Sequence, residues 1–210
     1  MDINIVDTAQ KLYNDNDKEM SNMSYVIMMK CSDGIVCVSD SRLTTTIQNA
    51  NNQITNVFNN DKSKKVFKNN SLIIGVFGNY DMGNKSIDIA ITNILKSANT
   101  KFEFAEQFLS QIVDSKTYTM FVGEKKNNQY ETTILEISKK KVHFGYFGAN
   151  NFDSNVTEFS HSNLPTGINL IPVAQAQPLL ISAVQNVIDL QTNLLPYAVV
   201  GGKVQCETLQ

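Results

Sequence analysis

The sequence predicts an α+β fold in which two antiparallel sheets stack face to face and helices cover their outer sides, a four-layer αββα sandwich. The first observation behind this prediction is the order of patterns: strands, two helices, three strands, a helix and a last strand. That order does not fit a doubly wound parallel sheet, in which strands and helices alternate. The second is size, because 210 residues, of which 42% are hydrophobic, can bury a full core in one domain.

The strands are predicted from apolar runs separated by turn residues, which is typical of hairpins. Ser32-Asp33-Gly34 and Asn69-Asn70 are the clearest turns, and the Asn-rich stretch from Gln48 to Ser63 predicts a loop. The predicted strands are Tyr25–Met29, Ile35–Val38, Lys64–Phe67, Ser71–Phe77, Thr117–Val122, Tyr130–Ile137, Lys141–Phe147 and Tyr197–Leu209, the last broken by Gly201-Gly202.

Three segments carry apolar residues at helical spacing. Asn79 or Asp81 is expected to cap the first helix, and Pro178 marks the start of the third, because proline is favoured in a first turn. Residues 151 to 167 predict a loop. The apolar stripes are Ile87, Ala90, Ile91, Ile94 and Leu95 in the first helix, Phe104, Ala105, Phe108, Leu109, Ile112 and Val113 in the second, and Leu180, Val184, Val187 and Ile188 in the third.

Composition narrows the function classes. A formal net charge of -2 does not indicate the excess of basic residues that is typical of nucleic-acid-binding proteins. No apolar run reaches the roughly 18 residues of a transmembrane helix. The polar N-terminus is unlike a secretory signal, so a soluble, cytoplasmic protein that binds neither nucleic acid nor membrane is expected. No metal or cofactor is expected, because the three cysteines and two histidines lack metal-type spacing, namely Cys31, Cys37, Cys206, His143 and His161.

Two domain-level segments are expected. Residues 1 to 23 are polar and weakly patterned, which indicates an N-terminal extension that is a propeptide, a docking segment or the product of a start codon assigned too early. Residues 24 to 210 are expected to form a single domain. Lys18-Glu19 can be encoded by AAGGAG, a ribosome-binding sequence, so translation from Met23 is the hypothesis for an early-assigned start.

The candidate reaction centre lies at the two ends of the first predicted hairpin. Ser24 precedes its first strand, and Asp40-Ser41-Arg42 closes the second. Because the two open ends of a hairpin lie side by side, we expect the Ser24 hydroxyl to lie close to the acidic Asp40 and the basic Arg42. The alternative is structural: Ser24 only begins a strand, and Asp40 and Arg42 form an ion pair that closes the hairpin.

Residues 24 to 42 resemble the opening of proteasome β-type subunits and their bacterial two-ring protease relative, which are N-terminal nucleophile hydrolases. Those proteins begin with a nucleophilic Thr, cross a turn ending in Gly, and reach an Asp-Ser-Arg-like triplet followed by Thr. Counted from Ser24, the residues at that spacing are Gly34, Asp40, Ser41, Arg42 and Thr44.

Later segments extend the resemblance. Lys64-Lys65-Val66-Phe67 is similar to the stretch with the family's active-site lysine, best matched by Lys65 with Lys64 as the alternative. Residues 73 to 78 resemble the glycine segment that supplies an oxyanion N–H, here assigned to Gly75, which otherwise marks a bulge. Asp189 and Thr192 match the family's Asp-x-x-Ser late in the last helix.

The resemblance implies a mechanism. The Ser24 hydroxyl would attack an amide carbonyl, most often of a peptide, while the free α-amine of Ser24 takes the proton. Lys65 and Asp40 would tune that amine, Arg42 would support Asp40, and the N–H of Gly75 or its neighbour would stabilise the oxyanion. The implied assembly is a homo-oligomer, such as a ring, with an ATP-driven unfoldase as partner.

The sequence also departs from the family. Met23 stands where self-processing members carry Gly, so Ser24 would be exposed by translation from Met23 and removal of that Met. Gly148-Ala149-Asn150 stands where the family has a Gly-Ser-Gly-like segment. The second candidate function is therefore a non-catalytic ring or interaction subunit that retains residues 1 to 23. An unrelated α+β binding protein is the third.

Overall fold

The computed structural model describes residues 24–48, 54–83, 85–146, 171–195 and 198–210. In these ranges the chain forms an α+β fold with three antiparallel sheets and three helices. The helices are α1 (Ile87–Ile94), α2 (Lys101–Leu109) and α3 (Val173–Leu194).

The ten strands of the described residues fall into sheets of three, two and five strands. The first sheet has the order β1-β2-β10, the second pairs β3 with β4, and the third has the order β5-β6-β7-β8-β9. The strands are β1 (Val26–Lys30), β2 (Ile35–Ser39), β3 (Leu43–Gln48), β4 (Ile54–Asn60), β5 (Val66–Lys68), β6 (Leu72–Phe77), β7 (Tyr118–Lys126), β8 (Gln129–Ser138), β9 (Lys141–Tyr146) and β10 (Gln205–Leu209).

The first predicted hairpin is confirmed. Strands β1 and β2 pair antiparallel, with Val26 opposite Ser39. The Cys31 N–H donates to the Gly34 carbonyl at 2.7 Å and so closes the turn. At the other end the Asp40 N–H donates to the Tyr25 carbonyl at 3.1 Å, so the chain before β1 lies beside the chain after β2.

The second predicted hairpin, β5 with β6, is also confirmed, and its turn depends on one side chain. The Asn69 Oδ1 accepts from the N–H groups of Ser71 and Leu72 at 2.9 and 2.8 Å. An asparagine side chain that bonds the following backbone in this way mimics a turn, which is why Asn69-Asn70 predicts the reversal.

The loop predicted from Gln48 to Ser63 is wrong over part of its length, because β3 and β4 form a hairpin there. Thr45 lies opposite Phe58, and both strands are rich in the β-branched and aromatic residues that suit a pleated surface. The asparagines between them dominate the composition and conceal this pattern. Residues 49 to 53 lie outside the described residues.

Helices α1 and α2 form on the predicted apolar stripes, with different caps and ends. Ser86, not Asn79 or Asp81, is the N-cap of α1. Asp81 instead accepts from the Gly83 N–H at 2.9 Å, which fixes the turn before the helix. Val113, predicted in the α2 stripe, lies beyond the end of that helix and is 50% exposed.

Helix α3 begins at Val173, five residues before the predicted start. Pro178 is inside the helix, and Pro172 is the N-cap residue. The Asp33 Oδ1 accepts the Val173 N–H at 2.7 Å, so the turn of the first hairpin satisfies one of the unpaired donors of this helix. The predicted start at Pro178 is therefore wrong, and Pro172 is the proline that precedes the first turn.

The closing strand is shorter than predicted. Only Gln205–Leu209 forms β10, because Gly202 adopts a positive φ of 76° that a strand does not continue through. Residues 196 and 197 lie outside the described residues. Also outside the described residues are residues 1 to 23, the predicted loop at 151 to 167, and Gly148-Ala149-Asn150.

Three clusters of buried apolar side chains make up the core. One joins the first and third sheets: Val26, Met28, Ile35, Cys37, Val66, Ile73, Phe121, Ile134 and Leu209. A second joins the third sheet to α1 and α2 and includes Ile74, Val76, Met120, Leu135, Ile91 and Phe108. A third joins the first sheet to α3 and includes Ile27, Val36, Val38, Leu180, Val184 and Ile188. Among the described helices, none combines the length and apolar character that crossing a membrane requires.

Candidate active site

A fully buried ion pair lies where the first and third sheets meet. The Lys65 Nζ is 2.8 Å from the Asp40 Oδ1, and both side chains are 0% exposed. Asp40 directly follows β2, and Lys65 directly precedes β5. Two residues that the sequence predicts for the site are therefore in contact, although 25 positions separate them.

The Asp40 carboxylate accepts four hydrogen bonds. Its Oδ1 accepts from the Tyr25 N–H at 3.1 Å as well as from Lys65. Its Oδ2 accepts from the N–H groups of Arg42 and Gly201, both at 3.1 Å. A carboxylate has about four lone-pair positions, so this one is fully satisfied in its ionised form. Three of the four donors are backbone groups, which fixes the carboxylate rigidly.

The Lys65 ammonium group has a second acceptor besides Asp40, the backbone carbonyl of Arg42. Burial lowers the pKa of Lys65 from its ordinary value, and the neighbouring charge of Asp40 opposes that effect. Lys64, the alternative from the sequence, is exposed, with its Nζ 5.1 Å from the centre of the Phe67 ring. Of the two lysines, the structure brings Lys65 to Asp40.

Arg42 supports Asp40 through its backbone N–H, and its guanidinium group points to a different acid. Nε and Nη2 of Arg42 donate to the two carboxylate oxygens of Asp61 at 2.6 and 2.8 Å. Nη1 donates to the Ala198 carbonyl at 3.1 Å. The structural alternative of an Asp40–Arg42 ion pair is therefore wrong. The hydrogen bond from Arg42 lowers the pKa of Asp61.

Ser41, between these two residues, joins the same two neighbouring segments. Its hydroxyl donates to the Asp61 carbonyl at 2.6 Å and accepts from the Lys203 N–H at 2.7 Å. Thr44, also predicted by the resemblance, donates to the Val199 carbonyl at 3.2 Å. In the Asp-Ser-Arg triplet, Asp40 therefore faces the buried lysine while the next two side chains anchor the surrounding loops.

Residues 198 to 203 lie against the triplet so closely that two positions require glycine. A Cβ on Gly201 would collide with the guanidinium group of Arg42, and one on Gly202 would collide with the Ser41 hydroxyl. The sequence shows Gly201-Gly202 only as a break in a strand. No local sequence pattern predicts the contacts of this segment or those of Asp61, because they join residues that are 19 to 162 positions apart.

Ser24 is the first described residue and is buried, with 6% of its surface exposed. Its carbonyl carbon is bonded to the Tyr25 nitrogen, and that N–H shares the Asp40 Oδ1 with the Lys65 ammonium group. The backbone at Ser24 is therefore held next to the buried pair. The structure brings together four of the predicted site residues: Ser24, Asp40, Arg42 and Lys65.

Gly75 has a different environment from the one that an oxyanion donor needs. It lies within β6, paired with Val66 on one side and Phe121 on the other, and is buried. A Cβ there would be 2.7 Å from the Cys37 Sγ and 2.8 Å from the Val26 Cγ1. This glycine allows the two sheets to approach each other. Its oxyanion role stays a prediction.

Asp189 and Thr192 are not brought to the other site residues. Both are exposed on α3, and the Asp189 Oδ1 accepts from the Gln185 side chain at 2.8 Å. Within the described ranges neither has a hydrogen bond to Asp40 or Lys65. A neighbouring residue connects the helix to the site instead: the Gln191 Oε1 accepts the N–H groups of Val199 and Val200 at 3.1 and 2.9 Å, just before Gly201.

No group of three or more His, Cys, Asp and Glu side chains in the described part of the chain is arranged to hold a metal ion. The site is thus a buried acid–lysine pair fixed by backbone donors, at the point where the chain enters β1.

In comparisons with known proteins, neither a family model nor a curated protein matches this sequence.

Proposed function

We propose that the chain is a proteasome-like N-terminal nucleophile hydrolase that cleaves amide bonds, peptide bonds in particular, with Ser24 once its α-amine is exposed. One observation carries this proposal. The Asp40–Lys65 pair is completely buried and shares an oxygen of Asp40 with the first amide after Ser24. Burying a lysine is costly, and an apolar pair of similar size is often at least as stable. A buried lysine held on the same carboxylate oxygen as the amide that follows Ser24 is therefore better explained by chemistry than by stability.

The chemistry follows from ordinary pKa values. A free α-amine has a pKa near ~8, so it can accept the proton of its own hydroxyl at neutral pH, whereas a peptide nitrogen cannot. A lysine ammonium group nearby favours the neutral form of that amine by charge repulsion. The Asp40 carboxylate, held by its four hydrogen bonds, fixes the position of the Lys65 ammonium group.

We also propose the four-layer αββα arrangement for the fold. The apolar cluster shared by the first and third sheets, and the separate clusters that α1, α2 and α3 share with one sheet each, support it. The close approach of Gly75 to Cys37 and Val26 supports it independently, because it joins β6 directly to β1 and β2.

For the oxyanion donor, the end of β6 suits the proposal better than its middle. Gly78 adopts a positive φ of 81°, and no atom lies within 4 Å of the position that a Cβ would take. The N–H groups around Gly78 are therefore better candidates than the buried Gly75. Homo-oligomeric assembly and an ATP-driven unfoldase partner remain proposals from the resemblance alone.

The experiment compares two forms of the chain that differ in the state of Ser24. Protein translated from Met23, checked by circular dichroism against the full chain, is expected to begin at Ser24 and to form a covalent adduct with an electrophilic peptide probe. Intact mass and peptide mapping would locate the adduct on residue 24. The full chain, in which Ser24 carries a peptide nitrogen, is expected to react far more slowly.

Two variants serve as controls. Ser24→Thr keeps a hydroxyl and should still form the adduct, while Ser24→Ala should not. If the Met23-started protein forms no adduct, or if Ser24→Ala reacts equally, the hydrolase proposal fails. The non-catalytic ring or interaction subunit then becomes the better interpretation.

A further inference from the structure

One side chain of β10 is bound to the backbone that carries Lys65. The Gln205 Oε1 accepts the Lys65 N–H at 2.9 Å and the Val66 N–H at 3.4 Å. The Gln205 Nε2 donates to the Ser63 carbonyl at 2.6 Å. A single amide thus binds the backbone on both sides of Lys64, the residue before the lysine of the site.

These bonds matter because β5 is an edge strand among the strands that the structure describes. Of those strands only β6 pairs with β5, and on that side the Val76 N–H donates to the Lys65 carbonyl at 2.9 Å. Edge positions leave backbone groups without a strand partner. Gln205 supplies an acceptor and a donor on that open side, as a neighbouring strand would. The backbone of Lys65 is therefore held from both sides.

The same residue is also in register with the other half of the buried pair. Gln205 lies directly opposite Ser39, the residue before Asp40, where β10 pairs with β2. Its backbone belongs to the sheet that ends at Asp40, and its side chain binds the segment that begins at Lys65. Asp40 and Lys65 come from different sheets, so their 2.8 Å contact depends on how those sheets are aligned at this point.

We infer that Gln205 is a positioning residue for Lys65: it aligns the start of β5 with the end of β2 so that the lysine ammonium group meets the Asp40 carboxylate. The inference rests on the proposed function, in which Lys65 acts on the amine of Ser24. Glutamine suits the role because its amide both donates and accepts, whereas glutamate only accepts and leucine does neither.

The first test uses the full chain and requires no enzymatic activity. Amide hydrogen exchange and the pH titration of the Lys65 Cε resonance, assigned through its own backbone amide, are measured in Gln205→Leu and in the wild type. Loss of the acceptor should speed exchange at Lys65 and Val66 by about tenfold. Looser burial should move the titration of Lys65 upward, toward the value of an exposed lysine.

Glu207→Gln is the matched control. Glu207 lies on the same strand and forms another side-chain link to β5, with its Oε2 3.2 Å from the Lys68 Nζ. This variant should leave both Lys65 readouts unchanged. Gln205→Glu should restore slow exchange at Lys65, because a carboxylate still accepts. If Gln205→Leu does not fold, Gln205→Met, whose side chain has a similar length but no amide, takes its place with the same expected results.

The second test measures adduct formation in the Met23-started protein. Gln205→Leu should slow the reaction with the electrophilic peptide by about ten- to hundredfold, the cost of a misplaced catalytic group. Equal exchange, titration and reaction rate in Gln205→Leu and wild type would overturn the inference. A wild type that forms no adduct would overturn the proposed function alone, since the exchange and titration results would still show whether Gln205 positions Lys65.

Discussion

At the scale of single residues, the most constrained group is the Asp40 carboxylate. Its four donors come from three separate stretches of chain: residues 25 and 42 around the first hairpin, Lys65 before β5, and Gly201 before β10. Removing Lys65 leaves a buried carboxylate with three amide donors and no counter-charge. A buried charge that loses its partner is among the most destabilising single changes.

We therefore expect Lys65→Ala to lower the free energy of unfolding by roughly 3–5 kcal/mol. Lys64→Ala is the matched control, because Lys64 is the adjacent lysine and is exposed; its effect should stay within about 0.5 kcal/mol. Urea unfolding of the two variants and the wild type measures both values. Similar stabilities for the two variants would contradict the assignment of Lys65 as the buried partner.

The same residues show what the sequence can and cannot predict about the site. Two short motifs predict Asp40, Arg42 and Lys65: the Asp-Ser-Arg triplet and the Lys-Lys-Val-Phe stretch. Asp61 lies in a segment whose composition predicts only a loop, and Gly201 and Gln205 bond to residues 161 and 140 positions away. Such partners follow from how the sheets stack, which no local pattern encodes. Arg42 was predicted to support Asp40, and it does so through its backbone, which a sequence cannot specify.

At the scale of elements, the spacing of the apolar residues predicts well where strands and helices form. It predicts poorly at which residues they begin and end. Two hairpins and the cores of α1 and α2 were predicted because alternation and helical spacing are strong signals. The β3–β4 hairpin is not predicted, because its asparagines are typical of loops and obscure the alternation of its β-branched residues. Caps were misassigned because several polar residues precede α1, and only tertiary contacts decide which of them begins the helix.

The two helix caps differ enough to make a prediction. The Thr100 hydroxyl accepts the Glu103 N–H at 3.2 Å, and the Glu103 side chain accepts the Asn99 N–H at 2.8 Å, so α2 begins with a reciprocal cap. Ser86, at the start of α1, makes no such bond to the helix backbone. Thr100→Ala should therefore cost about 1 kcal/mol of unfolding free energy, and Ser86→Ala clearly less.

Thermal or urea unfolding of these two variants measures the difference. Both positions have extended backbone immediately before a helix. Thr100→Ser, which keeps the hydroxyl, controls for the methyl group that Thr100→Ala also removes. No loss of stability in Thr100→Ala would show that the Thr100 side chain does not stabilise α2 by capping it.

At the scale of the whole molecule, the C-terminal segment connects the elements that form the site. Residues 198 to 205 supply an acceptor to Arg42, a donor to Ser41, a donor to Asp40 and the Gln205 amide. Helix α3 fixes this segment through Gln191, and β10 continues it into the first sheet. The site is thus assembled from both ends of the described chain, and it forms only when the sheets are packed.

Packing at this scale also sets how stability depends on pH. Burial raises the pKa of all three cysteine thiols, Cys31 to about 11 and Cys37 and Cys206 in the same direction. The unfolded thiols ionise near ~8.5 and the folded thiols at higher pH, so the folded state binds more protons and stability falls as pH rises above ~8.5. Lys65 acts oppositely, because its lowered pKa makes stability rise with pH between its folded value and ~10.4.

With rising pH the three thiols lower the unfolding free energy and Lys65 alone raises it, so we expect a net fall between about pH 8.5 and 9.5. This window lies below the range where tyrosines ionise. Cys31→Ala should reduce the slope of that fall, because the folded pKa of Cys31 lies above the whole window. Urea unfolding at several pH values, under reducing conditions, measures the slope for both proteins. Lys65→Met, which removes the opposing contribution, should steepen the fall. An unchanged slope in Cys31→Ala would mean that this thiol is accessible to solvent in the folded protein, against the 2% exposure that the structure gives it.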